Sequence, residues 1–328
     1  MQLPGGASAP RVTVVDISDA MAVGAGIEVF DLDAMQLQST PFRGRRVTVR
    51  LGAATVVSYS TNLRVRTRTR ARPGIVGYVA FGPHCRGSVN GLAVREGLLL
   101  AAAPESEARF VVDADWEDVA FMVRPEDVAA HLAARRREGE YRMPRDVDLL
   151  DADPAAVRAL FDWGKRLVDT AVREPALFDL PRNAIVAEME LFEALLHAIG
   201  SAARFALSRS ETTRQSYSLV VKNAEDYALS HIGEPLHVGD LCRAASVSER
   251  TLEHAFKEIM GLTPVNYLIR LRLHRVRQEL VAAHHATTTV SAVAINWGFW
   301  HFGEFSRAYR ECFQELPSTT LRRQSEFR

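Results

Sequence analysis

The chain has 328 residues, 47% of them hydrophobic, and its 40 Lys and Arg balance 40 Asp and Glu. A chain of that length is expected to hold two domains, each able to bury a core. The neutral balance, with a sequence pI near 7.2, excludes a broad basic field as the sole basis of nucleic-acid binding.

Cys85, Cys242 and Cys312 are odd in number and far apart, which fits a reducing compartment and not a disulfide framework. The opening run MQLPGGASAP has a loose composition and lacks the charged-then-apolar pattern of a signal peptide. No stretch of about 18 apolar residues occurs, so no membrane-spanning helix is expected. A cytoplasmic protein without membrane contact is the expectation.

In chain order, 19–38 is mildly apolar and predicts a helix. From Arg46 the texture changes. Runs rich in Val, Thr and aromatic residues recur over 41–123, separated by turn residues such as Arg72-Pro73-Gly74, Gly82-Pro83 and Asn90-Gly91. Short strands at this spacing predict a sandwich or barrel. Within them 64–72 alternates strictly, with Arg64, Arg66, Arg68, Arg70 and Arg72 against Val65, Thr67, Thr69 and Ala71. On a strand the arginines share one face. A solvated outer face is the favoured reading, and an anion-binding or partner surface is the other.

Helices follow over 125–137, 153–172 and 183–203, each with apolar residues three and four apart. Pro125 and Pro154 fit first-turn positions. A polar run at 208–216, SRSETTRQS, reads as a linker between a domain at 1–207 (β-rich 41–123, helical 125–207) and one at 217–328.

The second domain repeats one pattern. After a lead-in helix at 217–232, Val238, Leu241, Cys242 and Ala245 make one apolar face, Ser246-Val247 a turn, and Ser248 an N-cap. The next helix places Leu252, Ala255, Phe256 and Ile259 on its buried side and stops at Gly261. A long helix at 264–283 carries Arg270, Arg272, Arg275 and Arg277, a local source of positive charge. Then 290–297 and a helix from His301 repeat the device: Ser248, Leu252 and Phe256 correspond to His301, Phe305 and Tyr309, each 53 residues on. Two helix-turn-helix units on one connecting helix are expected. The B-DNA major groove, about 12 Å wide, admits one such second helix. Two could enter successive groove segments about 34 Å apart.

The run GDLCRAASVSERTLEHAFKEIMGLTPVNYLIRLRLHRVRQEL followed by AVAINWGFWHFGEFSRAYRECFQELPSTTLR resembles the AraC/XylS family DNA-binding domain across about residues 217–325. NWGFWHFGEF resembles in particular the subgroup of the ethanolamine-operon regulator. The resemblance implies an α+β protein: an N-terminal β-rich, jelly-roll or cupin-like sensor domain with flanking helices, and a C-terminal all-α domain with two helix-turn-helix units joined by a long helix. It implies base-contact roles for Arg250, Glu253 and His254, and for Phe302, Gly303, Ser306 and Arg307. Lys257 and Arg310 would meet phosphate, and Ser248, Thr251 and His301 stand at the helix starts. Three positions depart from the family pattern. Ser246 and Gln314 stand where Gly is usual, and His237 where a hydroxyl N-cap is usual.

The expected function is a ligand-responsive, sequence-specific transcription regulator, an activator and not an enzyme. Its expected partners are double-stranded DNA, RNA polymerase, a small-molecule effector (an amine, if the subgroup resemblance holds) and a second copy of the chain. No cofactor is expected. The alternatives are a β-domain enzyme with a regulatory helical half, or a ligand-independent architectural DNA-binding protein. A metal enzyme is disfavoured because the β-rich region offers His84 beside Cys85 but no His-x-His. Arg66, Arg68 and His84 are the candidate effector contacts, and His284-His285 reads as loop and not as a metal site.

Overall fold

The computed structural model describes residues 10–204, 207–283 and 288–323. The N-terminal half is a sandwich of two antiparallel sheets. Its strands are β1 (Val12–Ile17), β2 (Phe30–Gln36), β3 (Gly44–Arg50), β4 (Ala54–Thr61), β5 (Val65–Ala71), β6 (Val76–Phe81), β7 (Gly87–Val89), β8 (Leu92–Ala93), β9 (Leu98–Ala102), β10 (Glu107–Val112) and β11 (Trp116–Val123). After α1 (Pro125–Ala133) come β12 (Val147–Asp151), α2 (Pro154–Arg173), α3 (Pro181–Gly200) and β13 (Ala203–Arg204). The larger sheet runs β1-β3-β4-β11-β6-β9-β12-β13 and the smaller β2-β5-β10-β7-β8.

Side-chain alternation assigns the layers. On β11, Val119, Phe121 and Val123 enter the core shared with α1, α2 and α3, where Leu160, Phe161, Leu191 and Phe192 meet them. Trp116, Asp118, Ala120 and Met122 point the other way, into the space between the sheets. Each sheet therefore has an inner and an outer face, and both outer faces are covered: the larger by helices of its own domain, the smaller by the C-terminal half.

Three expectations change here. The helix expected over 19–38 is a short 3₁₀ turn at Ala20–Ala22 followed by β2. Phe30, Leu32 and Ala34 alternate with Asp31 and Asp33, and strand pairing with β5 decides the matter. The β region also begins earlier than 41, since β1 pairs with β3. The polar run at 208–216 is not a linker in extended form. Ser208 caps α4 (Arg209–Ser230) in a capping box with Glu211, the S-x-x-E signature of a helix start.

The C-terminal half continues with α5 (Val238–Ala245), α6 (Glu249–Met260), α7 (Pro264–Ala282), α8 (Val290–Asn296), α9 (Phe302–Phe313) and α10 (Pro317–Arg323). Leu241, Leu252, Phe256 and Tyr267 build one core, and Leu273, Val276, Phe305 and Tyr309 a second. Both cores draw on α7, which joins them as a single continuous helix. The first core also takes in Met35, Leu37 and Val111 from the smaller sheet. The two halves are thus packed together through apolar contact. At Gly91, with φ at +83°, an added Cβ would meet the backbone oxygen of Arg214 at 2.7 Å, so the β7–β8 hairpin approaches α4 at a distance only glycine permits.

The departures from the family pattern are absorbed locally. Ser246 and Gln314 both take the left-handed conformation that Gly usually supplies. The backbone N–H of His237 donates to Asp240 at 2.8 Å, so a carboxylate three residues on satisfies the start of α5. His284 and His285 lie outside the described residues.

Candidate nucleic-acid interface

The apolar stripes of α6 and α9 dictate what remains outside. With Leu252, Ala255, Phe256 and Ile259 buried, α6 leaves Arg250, Glu253, His254 and Lys257 exposed along one face. These positions are three, four and seven residues apart, the spacing of a single helical face. Together with Thr251 and Tyr217 they line an open groove. Ser248 spends its hydroxyl on the cap, accepting from the Thr251 backbone N–H at 3.3 Å and lying 2.9 Å from the Thr251 hydroxyl. His254 packs edge-on against the Tyr217 ring with centroids 5.1 Å apart, which limits its rotamers.

On α9, Phe305, Tyr309 and Cys312 are buried, and Phe302, Gly303, Arg307 and Arg310 are exposed with Ser306 half-buried among them. His301 is exposed just before the first turn. Neither Arg307 nor Arg310 has an ion-pair partner among the described residues, nor do Arg250 and Lys257. Each such guanidinium or ammonium is available to an external anion.

One residue of this surface was absent from the expected set. Trp300, in the turn before α9, is 70% exposed, more than any other large hydrophobic side chain described. Phe302 beside it is 42% exposed. Trp297 and Phe299 of the same run are half-buried against the second core, the first donating to Glu279 at 2.6 Å and the second with its ring tilted against that of Phe305. The sequence run shows four aromatics without separating the two kinds.

The arginines of the connecting helix are not a free positive field. Arg270 donates to the backbone oxygens of Gln36 and Gln38, at 3.3 and 3.2 Å. Arg272 donates to the Leu236 backbone oxygen, and burial lowers its pKa. Arg277 pairs with Asp19 at 2.6 Å and with Glu315. These side chains anchor α7 to its surroundings.

The arginine ladder of β5 is likewise not a solvated face. Arg66 is 1% exposed, and it pairs with Asp33 and with Glu225 of α4, each at 2.5 Å. The Tyr267 hydroxyl of α7 donates to the same Glu225 at 2.6 Å. Arg68 pairs with Glu107 and with Asp226 of α4. Arg70 and Arg72 stay about half exposed near the sheet margin. The partner surface is the chain's own C-terminal half.

Thr67, Thr69 and Ala71, the alternate residues of β5, face a cavity between the sheets. Its cavity volume for a water-sized sphere is about 80 Å³, within about 730 Å³ of atom-free space that includes open solvent at its mouth. The lining is almost entirely apolar, with Phe30, Tyr59, Phe110 and Trp116 around one carboxyl, Asp118. Trp116 donates to Asp118 at 2.6 Å. Burial pushes the Asp118 carboxyl up to about 7 against that hydrogen bond. Arg66 and Arg68 do not line this cavity, because the pleat turns them to the opposite face. His84 is exposed in the turn after β6 and does not line it either. No trio of His, Cys, Asp or Glu among the described residues is placed to hold a metal ion, and no described helix is long and apolar enough to cross a membrane.

Residues 241–323 match a family model described as a helix-turn-helix domain. The chain is 36% identical over 103 residues to the probable thc operon regulatory protein of Rhodococcus erythropolis, covering 31% of each chain. It is 34% identical over 108 residues to the XylDLEGF operon transcriptional activator 3 of Pseudomonas putida, covering 33% of this chain and 31% of that one. A solved AraC-type regulator structure from Chromobacterium violaceum is 28% identical, covering 33% of this chain and 95% of its own, with a TM-score of 0.31. The match to these two curated relatives spans about a third of their length. Both curated relatives are operon regulators by description, and the matched helix-turn-helix model spans α6 and α9.

Proposed function

We propose that the C-terminal domain is an AraC/XylS-type helix-turn-helix domain and that the chain is a ligand-responsive, sequence-specific DNA-binding regulator, acting as an activator beside RNA polymerase. One observation carries this reading: two amphipathic helices, each clamped by its own core, present unpaired basic side chains on exposed faces and share the rigid helix α7. The likeness to the ethanolamine-operon subgroup is one of short segments only, the 296–305 run with 215–217, 240–242 and 248–252. Over residues 215–328 there are 13 Lys and Arg against 12 Asp and Glu, so grip comes from local placement and helix N-termini, and non-specific affinity is modest.

The two faces differ in chemistry. Arg250 can bond guanine bidentately and Glu253 can accept from cytosine N4. The second unit offers an apolar tip, Trp300 and Phe302, with Arg307 and Arg310 behind it. The expected result is that Arg250→Ala loses about 1–3 kcal/mol of discrimination between the selected site and its variants. Arg310→Ala weakens binding to all sequences and lowers the salt slope by about 1. Trp300→Ala weakens binding without moving the urea midpoint, since its ring is mostly in solvent. Electrophoretic shifts on sites selected from random DNA, at several salt concentrations, measure all three. Loss of specificity to the same degree in the Arg250 and Arg310 variants would overturn the division of labour. Failure to select any sequence would overturn the regulator reading.

A sensor role for the sandwich is supported by the smaller sheet, whose inner face lines the cavity and whose outer face holds the DNA-binding half. Thr67 and Thr69 face the cavity while Arg66 and Arg68, their immediate neighbours, hold α4. The segment after β2 reaches the second unit too: Gln36 donates to the Cys312 backbone oxygen at 2.5 Å, and Gln314 donates to that of Ser39 at 2.8 Å. A ligand that displaces β5 or β2 moves groups bonded to both readers.

A homodimer is supported by a cluster of exposed apolar side chains on one stretch, Val172, Leu177, Leu180, Ile185, Val186 and Met189. Clustering on this scale marks an interaction surface more often than scattered exposure does. Val186→Glu with Met189→Glu is expected to shift the chain from dimer to monomer in sedimentation velocity. An unchanged sedimentation coefficient would remove this face from the interface.

A further inference from the structure

We infer that the inter-sheet cavity selects a small, predominantly apolar molecule carrying one protonated amine, with Asp118 as its counter-ion; this rests on the sensor reading of the sandwich. Asp118 is the one carboxyl among the lining residues, and the lining contains no Lys, Arg or His. Its neighbour Glu117, on the opposite face of β11, already pairs with Lys165 at 2.6 Å. Asp118 has only the Trp116 N–H, on one of its two oxygens.

A half-buried carboxylate on an apolar wall without a cation is costly, and a ligand cation supplies what the lining withholds. Four aromatic rings surround the site, and ring faces attract an ammonium as well as its apolar tail. A ligand carboxylate would meet Asp118 as a like charge. An alcohol would hydrogen-bond but leave the charge uncompensated. Besides Asp118 the lining offers hydroxyls only at Tyr59, Thr67 and Thr69 among apolar side chains, which disfavours a polyol, whose remaining hydroxyls would go unpaired.

Isothermal titration of the full chain with hexylamine, benzylamine, 1-hexanol and hexanoate tests this. Saturable binding of the amines, at least about tenfold tighter than 1-hexanol, with no binding of hexanoate, is the expected result, given a charge-assisted bond in an apolar site. Asp118→Asn keeps the shape and is expected to erase the advantage of the amine over the alcohol. Ala108→Phe, which fills the cavity and leaves Asp118 intact, is expected to abolish binding of both. An alcohol or carboxylate that binds as tightly as the amine, an amine preference that survives Asp118→Asn, or no saturable binding by any of the four overturns the inference. Titration without DNA separates it from the regulator reading. A chain that shifts DNA but takes no amine overturns the ligand class alone, and one that takes the amine but selects no DNA overturns the regulator alone.

Discussion

Glu225→Ala is expected to lower the stability of the full chain by about 3–5 kcal/mol, the cost of leaving one member of a buried ion pair without its partner. Glu225 and Arg66 are each 1% exposed at the side chain and 2.5 Å apart. Removing the carboxylate strands Arg66, which keeps Asp33 on the half-exposed side and a long contact of 3.4 Å to the Tyr267 hydroxyl, and deprives that hydroxyl of its acceptor. The pair joins β5 to α4, so the loss falls on the contact between the two halves. A double replacement, Arg66→Met with Glu225→Leu, removes both charges and is expected to lose much less, because apolar groups of similar volume can replace a buried pair at little cost. Urea midpoints of the two variants make the comparison. A single variant within about 1 kcal/mol of the parent would show that the pair does not hold the halves together. The double variant also isolates signalling: a folded chain that binds DNA but no longer responds to cavity ligands is the expected outcome.

Asp118 gives the second large effect, and its sign is opposite to that of the surface carboxylates. Its folded-state pKa is raised to about 7 from 3.8, chiefly by burial. The folded chain therefore holds a proton that the unfolded chain has released between those two values. Stability from this group is full below about pH 4, falls as pH rises toward 7, and is level above. The whole excursion is on the order of 4 kcal/mol. Asp118→Asn, which retains an oxygen for the Trp116 N–H, is expected to be more stable than the parent at pH 8 and equal to it near pH 4. Asp33 and Asp226, whose pKa values are lowered by Arg66, and by Lys222 and Arg68, against the effect of burial, act on stability below that window. The difference between parent and variant cancels them. A difference curve that is flat from pH 4 to 8 would mean that Asp118 is solvated. An amine in the cavity is expected to raise the parent's melting temperature more at pH 8 than at pH 5.

The C-terminal half was legible because its signals are local. Ser248 before Glu249, Gly261 after Met260, Thr289 before Val290 and apolar residues three and four apart determine where α6, α7 and α8 begin and end. The same stripes determine which side of α6 and α9 is exposed, and the expected reading residues lie there. Local pattern also explains two misreadings. Residues 19–38 have no feature that declares a strand until β5 is beside them, and the S-x-x-E start of α4 was hidden by a polar composition common to linkers.

What the sequence by itself determined is the pair of helix-turn-helix units, their shared helix and the existence of a β-rich domain before them. What only the tertiary structure decided is which charges are spent and which are available. In the sequence, Arg66, Arg270, Arg277 and Arg310 are alike. In the fold the first three are consumed by Glu225, by Gln36 and Gln38, and by Asp19, and only Arg310 faces outward unpaired. Burial and pairing depend on residues hundreds of positions away, which no periodicity encodes. The same holds for Asp118, an ordinary acid in the sequence. The stacking of two distant sheets around it makes it the single carboxyl lining an apolar cavity.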